Sequence, residues 1–322
     1  MLVSIVVPAY NAETTIVACL EALLRQSMPP QDLEIIVVND GSTDGTMALI
    51  DQFPVRSLVQ SNQGPAAARN LGAAAAQGEF LLFTDADCVP EPGWTAAMIA
   101  PFRDSQVVAV KGAYRTRQAA LVARFAQIEF EERFAMLASL ASIDMVDTYA
   151  AAYRREIFLQ LHGFDTRFPV ANNEDTELSY RMAARGMKMV FAPQAIVYHL
   201  RHPDSLVRYA RLKFSRGYWR MIVYKQYPGK MLRDSYTPQS LKLQIFLVYA
   251  FLLLCPWLLL WPVAMIPVIL FTLLGFALSV VPFTKAALRR DLPVGLCAPV
   301  LLAVRAGVLG AGAILGVLRT KL

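Results

Sequence analysis

Val3-Ser-Ile-Val-Val-Pro-Ala-Tyr-Asn11 stands near the start of the chain, and Ile36-Val-Val-Asn-Asp-Gly-Ser-Thr-Asp-Gly-Thr46 repeats its form. Each is a short run of β-branched residues that stops abruptly at polar, turn-forming ones. The first run is too short for the apolar core of a signal peptide and reads as a buried strand. Working outward, the runs Val3–Val7, Leu33–Val38, Val55–Val59 and Phe80–Thr84 read as strands, and the patterns Thr14–Gln26, Thr46–Gln52 and Pro65–Gln77 read as helices between them. That alternation predicts an α/β fold, a mostly parallel sheet with helices on both faces. Ligands of such sheets bind outside the carboxyl ends of the strands.

The residues at those ends are the informative ones. Strand one ends in Pro8-Ala-Tyr-Asn11, strand two in Asn39-Asp-Gly-Ser-Thr-Asp-Gly45 and strand four in Asp85-Ala-Asp87, with Asn62-Gln-Gly-Pro-Ala-Ala-Ala-Arg-Asn70 between the last two. Singly, each has a plain reading: Asn-Asp-Gly-Ser is turn chemistry, and paired Asp residues often cap helices or face water. Together, each at a strand end, they outline a polar site.

Composition bounds the rest. The chain has 322 residues, 56% hydrophobic and 17% charged, against roughly 45–50% and about 25% in an average soluble domain. This excludes a disordered chain, a collagen-like fibre and a small disulfide scaffold. Cys19, Cys88, Cys255 and Cys297 are far apart in sequence and lack metal-ligand spacing, so neither a zinc site nor a disulfide framework is expected and a reducing compartment fits. Residues 1–200 carry a net charge of −7 and residues 201–322 a net +13. Basic charge beside apolar tracts points to a membrane surface and away from nucleic acid.

The 42 residues Leu243–Thr284 contain no charge, too long for one helical crossing and right for two. Spans are expected at about 243–261 and 263–283, with a third apolar tract at 294–318 whose Gly307, Gly310, Gly312 and Gly316 suit close helix packing. Arg305 in that tract is costly in lipid unless it faces protein, headgroups or water. Lys225, Lys230, Arg233 and Lys242 precede the hairpin and Lys285, Arg289 and Arg290 follow it, which puts both its ends in the cytoplasm. A third span would leave Arg319 and Lys321 outside, against that rule; a re-entrant or interfacial third segment avoids the conflict.

The stretches Val3–Asn11, Ile36–Thr46, Asn62–Asn70, Phe80–Asp87 and Asn173-Glu-Asp-Thr-Glu177 together resemble the family 2 glycosyltransferases, whose GT-A fold is Rossmann-like. The resemblance covers residues 3 to about 226. It implies a nucleotide-sugar donor, Mg2+ or Mn2+, and inversion at the anomeric carbon. Carried over by position, Pro8, Ala9, Tyr10, Asn11, Asp40, Arg69 and Asp85 bind the nucleotide, with Asp40 accepting from the base. Asp87 is the direct metal ligand and Asp85 faces ribose or metal. Asp175 is the base toward the acceptor, and Glu174 supports the acceptor or orients that base. Tyr149–Arg155 and His162-Gly-Phe-Asp165 resemble the acceptor-side loop.

His199, one of three histidines, follows the apolar Ala195–Tyr198. It reads either as a partly buried imidazole at a strand end or, by the resemblance, as the residue that completes the metal site. From Ser205 to Lys225, Val207, Ala210, Phe214, Tyr218 and Met221 fall at helical steps with Arg208, Lys213, Arg216 and Arg220 opposite, an interfacial helix in outline. Lys213–Trp219 loosely echoes a family motif over the donor, so Arg216 is either a diphosphate contact or a headgroup-binding charge. Glu129, Glu131 and Glu132, in the helical pattern Gln118–Leu140, read as a solvated face.

The domain reading is a catalytic domain at 1–203, an interfacial helix and linker at 204–242 and a membrane anchor at 243–322. The expected activity is metal-dependent, inverting transfer from a nucleotide sugar to a hydroxyl of a lipid-linked or membrane-proximal glycan, such as a cell-envelope polysaccharide, by a multi-pass cell-membrane protein with its catalytic domain in the cytoplasm. Two rivals stand beside it: transfer to a polyprenyl phosphate, and a silent sugar-nucleotide-binding or transport-associated membrane protein.

Overall fold

The computed structural model describes residues 2–168 and 172–319. It divides into two compact units, Met1–Arg117 with Phe134–His202, and Gln118–Arg133 with Pro203–Leu322.

The first unit is built on one eight-stranded sheet: β1 (Val3–Ala9), β2 (Leu33–Asp40), β3 (Arg56–Gln60), β4 (Phe80–Phe83), β5 (Cys88–Pro90), β6 (Val107–Arg115), β7 (Ala151–Arg154) and β8 (Lys188–His199), in the order β3-β2-β1-β4-β7-β6-β8-β5. β1 pairs in parallel with both β2 and β4, and β2 with β3. β7 runs antiparallel to β4 and β6, and β8 runs parallel to β6. The carboxyl ends of β1, β2, β4, β6 and β8 therefore share one sheet edge, and that edge collects the candidate residues.

The four expected strands are present within two residues of their expected bounds, and the helices are Ile16–Leu24, Thr46–Ile50 and Pro65–Ala75. Val3, Ile5, Val6, Val7, Ile36, Val37 and Val38 are all buried, as a sheet covered on both faces requires. Gly72 lets the helix Pro65–Ala75 approach the sheet: a Cβ there would lie 2.4 Å from Val6 Cγ1 and 3.1 Å from Val38 Cγ2.

One expectation is corrected in this unit. Tyr149–Arg155, expected as an acceptor-side loop, contains the central strand β7, whose small Ala151 and Ala152 are buried on both faces. Tyr153 of β7 packs edge-on against Phe83 and tilted against Phe158, with ring centroids 5.8 and 5.4 Å apart.

Among its described residues the second unit contains three helices long and apolar enough to cross a membrane, Gln239–Leu259, Pro262–Arg290 and Leu292–Arg319. Leu259 is 88% and Val263 87% exposed, surface that only lipid or another protein covers favourably. Lys321 lies outside the described residues. The third apolar helix packs closely on the helix Leu206–Gln226: a Cβ on Gly217 would lie 2.3 Å from the Leu309 carbonyl oxygen, and one on Gly312 2.1 Å from that of Phe214.

Two expectations change here. Glu129 is not solvated but 1% exposed. Its Oε2 meets Lys213 Nζ at 2.9 Å and accepts from the Tyr209 hydroxyl at 2.8 Å, while Oε1 accepts from Arg305 Nη1 at 2.8 Å. Arg305 Nη2 also donates to Gln244 Oε1 at 2.7 Å, so Arg305 faces protein, the arrangement that removes its cost in lipid. Lys213 is consequently not on the exposed side of its helix. The buried face is Tyr209, Lys213, Gly217 and Val223, whereas Val207 and Phe214 of the expected apolar stripe are exposed. Close backbone approach at Gly217 and charge pairing at Lys213 outweigh the hydrophobic pattern. Burial pushes the Glu129 carboxyl up, but Lys213, Arg305 and Arg133 outweigh it and hold it well below the usual carboxylate range. Burial likewise pulls the Lys213 ammonium down to about 7, against the attraction of Glu129.

Removing Glu129 leaves Lys213 and Arg305 buried without their counter-charge. Glu129→Ala should cost about 3–5 kcal/mol, while Glu131→Ala, at an exposed pair with Arg290, should cost about 0–1 kcal/mol. Thermal unfolding of both variants in detergent checks this, and equal losses would contradict it.

Candidate functional site

The loops after β1 and β2 are tied to each other by side chains. Asn11 takes a left-handed conformation at φ 47°, which asparagine tolerates better than most residues. Its backbone N–H donates to Ser42 Oγ at 3.0 Å, and the Thr43 N–H donates back to Asn11 Oδ1 at 2.9 Å. The Ala12 N–H donates to Thr46 Oγ1 at 2.7 Å. These bonds hold Pro8, Ala9 and Tyr10 at the sheet edge, with Tyr10 51% exposed and its ring open to a planar ligand.

Asp40, at the end of β2, is buried. Gln60 Nε2 and the Gln63 N–H donate to its Oδ1 at 2.7 and 2.8 Å, and the Gly64 N–H donates to Oδ2 at 2.9 Å. Gly64 has φ 90°, which its lack of a Cβ permits, and it opens the helix that carries Arg69. Three of roughly four acceptor positions on the Asp40 carboxylate thus shape the chain's own loop.

Arg69 is 1% exposed and spans two motifs that lie far apart in sequence. Its Nη2 donates to Asp85 Oδ1 at 2.7 Å and its Nη1 to Glu174 Oε1 at 2.8 Å. The first acid follows β4 and the second starts the helix Glu174–Ala183, which Asn173 precedes at φ 64°. Burial and the neighbouring Asp175 push the Glu174 carboxyl up to about 7, against the pull of Arg69. Among the described residues, its Oε2 and the buried Tyr153 hydroxyl have no hydrogen-bond partner, which leaves polar capacity in this corner. Asp175 is half-buried, and its Oδ1 accepts from the Thr176 N–H at 2.7 Å.

The remaining acid, Asp87, faces His199 at the end of β8, with Oδ1 3.8 Å from Nε2. Burial raises the Asp87 carboxyl above its usual range, with Asp85 adding to the rise and His199 and Arg201 opposing it. Cys88 belongs to the same group: it is the register partner of His199 across the β5–β8 pair, and its Sγ lies 3.9 Å from Asp87 Oδ1. The β5–β8 pairing brings Cys88 and His199 together, a proximity that the linear spacing of the cysteines does not contain. A carboxylate and an imidazole at this separation, with no hydrogen bond between them, fit a divalent ion that takes oxygen and nitrogen donors. Asp85 is turned to Arg69. Arg216 lies in the second unit, on the helix Leu206–Gln226.

Comparison with known proteins points to glycosyltransferases. The model of the family described as glycosyl transferase family 2 matches residues 4–161. The probable glycosyltransferase YdaM of Bacillus subtilis is 32% identical over 213 residues, covering 61% of this chain and 50% of that protein. The poly(ribitol-phosphate) beta-N-acetylglucosaminyltransferase TarS of Staphylococcus aureus is 37% identical over 90 residues, covering 26% and 16%. The chain thus spans half or less of the length of these curated relatives. Among solved structures, a mannosyltransferase from Pyrobaculum calidifontis in complex with GDP-Man and Mn2+ superposes with a TM-score of 0.63 at 20% identity, covering 99% of this chain and 88% of that one, a likeness of fold.

The buried Glu174 carboxyl makes stability pH-dependent. Its value is raised in the folded chain from an ordinary 4.5 to about 7, so its contribution is full below the ordinary value and is lost as pH rises through the folded one. The melting temperature of the wild type should therefore fall relative to Glu174→Gln between pH 4.5 and pH 8. Parallel profiles for the two proteins would contradict the assignment.

Proposed function

We propose, from the premise that the chain belongs to the family 2 glycosyltransferases, that it moves a sugar from a nucleotide-sugar donor to a hydroxyl of a lipid-linked or membrane-proximal glycan, with inversion at the anomeric carbon. The observation that carries this reading is the meeting of Asp85, Asp87 and His199 with Glu174 and Asp175 on one sheet edge, with Arg69 linking Asp85 to Glu174. An acceptor hydroxyl is a poor nucleophile at neutral pH and needs its proton taken as it attacks. Asp175, more exposed than Glu174, takes that proton. Glu174, fixed by Arg69, orients the acceptor or the base.

Pro8, Ala9, Tyr10 and Asn11 form the wall for the nucleotide, and the remaining acceptor position of Asp40 serves the base. Arg69 and Asp85 border that pocket. Asp87 and His199, with Asp85 beside them, would hold Mg2+ or Mn2+, the latter being the ion that accompanies GDP-Man in the Pyrobaculum mannosyltransferase. When bound, the ion supplies the positive charge that a departing diphosphate requires.

Residues 1–203 form the catalytic domain, 204–242 the interfacial helix and linker, and 243–322 the anchor of a multi-pass membrane protein with its catalytic domain in the cytoplasm. The basic residues on both sides of the uncharged tract support this orientation.

With a donor found by screening UDP-, GDP- and dTDP-sugars, Asp175→Asn should lower kcat by roughly 10²–10⁴-fold with little change in donor binding. Near-normal turnover by the variant, with a phosphate acceptor found in an acceptor screen, would replace the hydroxyl acceptor with a polyprenyl phosphate. Protease treatment of inverted vesicles should digest the catalytic domain; its protection would reverse the orientation.

A further inference from the structure

We propose that Asp87, Cys88 and His199 form a site for a thiophilic divalent ion of the Zn2+ class, with the Cys88 sulfur as a ligand alongside the carboxylate and the imidazole. The proposal rests on the reading of Asp87 and His199 as metal ligands and adds a donor that changes which ions the site prefers.

The backbone builds the site. Cys88 and His199 are direct partners in an antiparallel pair, and directly opposed residues point to the same face of a sheet. Asp87 precedes Cys88 at the turn from β4 into β5. Asp87 Oδ1 lies 3.8 Å from His199 Nε2 and 3.9 Å from Cys88 Sγ, and the three donor atoms lie within 4.8 Å of one another. Ligands of a tetrahedral ion with bonds of roughly 2.0–2.3 Å sit about 3.3–3.7 Å apart, so the three donors need to close by a few tenths of an ångström to about one ångström. Three protein donors and one open position is the arrangement of an accessible zinc centre. Cys88 is buried while Asp87 and His199 are partly exposed, so the open position faces outward.

Donor chemistry then decides between ions. Mg2+ and Mn2+ take oxygen and nitrogen and leave a thiol alone, whereas thiolate selects softer ions, and the intrinsic order of affinity already places Zn2+ above Mn2+. On coordination the Cys88 thiol proton passes to solvent as the sulfur–metal bond forms. The His199 Nε2 proton relocates to Nδ1, and the contact there from the Arg201 N–H, long at 3.3 Å, opens. The thiolate and the Asp87 carboxylate together balance the charge of the divalent ion. A Zn2+-class ion thereby competes with the hard ion for Asp87 and His199, and Cys88 sets the outcome.

The test uses the purified full chain with Co2+ as the probe. Titration should produce a thiolate-to-cobalt charge-transfer absorption that saturates at one equivalent, vanishes in Cys88→Ser and persists in Cys19→Ser and Cys297→Ser. In parallel, Mn2+ binding read by loss of its free-ion EPR signal should survive Cys88→Ser and fail in Asp87→Ala. Zn2+ should displace Mn2+ at least tenfold more readily from the wild type than from Cys88→Ser. Absence of the absorption, its persistence in Cys88→Ser, or equal displacement by Zn2+ would overturn the proposal. A wild type that binds Co2+ through Cys88 but not Mn2+ would instead overturn the hard-ion reading of Asp87 and His199.

Discussion

A guanidinium that is almost wholly buried must be paired, and in the first unit that requirement fixes the relation between two parts of the site far apart in sequence. Arg69 reaches Asp85 at the end of β4 with one nitrogen and Glu174 at the start of a helix with another. Breaking either contact strands a buried charge, at a cost of several kcal/mol. The distance between the turn after β4 and the helix that carries Asp175 is therefore set by one rigid planar group with two donors. Arg69 itself is held by the helix that Gly64 opens, and the backbone of that turn donates to Asp40. One chain of contacts thus runs from the end of β2 through Arg69 to Glu174. A lysine at position 69 has a single charged atom and no planar fork with which to span both acids.

The same rule operates in the second unit with the signs exchanged. There one carboxylate, Glu129, serves two buried cations, Lys213 and Arg305. Glu129 carries the lowered value and Lys213 the lowered one as well, the pattern of an anion outnumbered by cations in a site where each ion is desolvated. Because Lys213 and Arg305 come from different helices, the carboxylate between them sets the register of the basic helix against the third apolar helix. The glycines at 217 and 312 bring those backbones close.

How much of this was legible in the sequence follows from whether the signal was local. β1, β2, β3 and β4 are short apolar runs with turn residues at their ends, so their positions could be read within two residues. β7 is Ala-Ala-Tyr-Arg, with little strand character of its own; it is a strand because β4 and β6 supply its ladder. Asp85, Asp87, Glu174 and Asp175 stood out as motifs, but the Arg69 bridge that relates them has no periodicity to reveal it. The proximity of Cys88 to His199 is not legible in linear spacing, because only the β5–β8 pairing brings the two opposite each other. Glu129 reads in sequence like its neighbours Glu131 and Glu132, whereas its burial is decided by Arg305, 176 residues further along.

The charges at the sheet edge also bear on the kind of ligand it takes. Asp85, Asp87, Glu174 and Asp175 are four carboxyl groups; Arg69 acts on Asp85, Glu174 and Asp175, and Arg201 acts on Asp87. Burial pushes up Asp87 and Glu174, as expected of acids without enough positive charge around them. Arg69 is committed to two of the acids and turns no open donor outward. A diphosphate approaching such a surface is repelled unless it arrives with a cation or meets one there. A divalent ion between Asp87 and His199 would remove two charges where the deficit is greatest and convert a repulsive surface into an attractive one. Arg69, committed to Asp85 and Glu174, holds the fold of the site together, so its charge is already balanced within the chain.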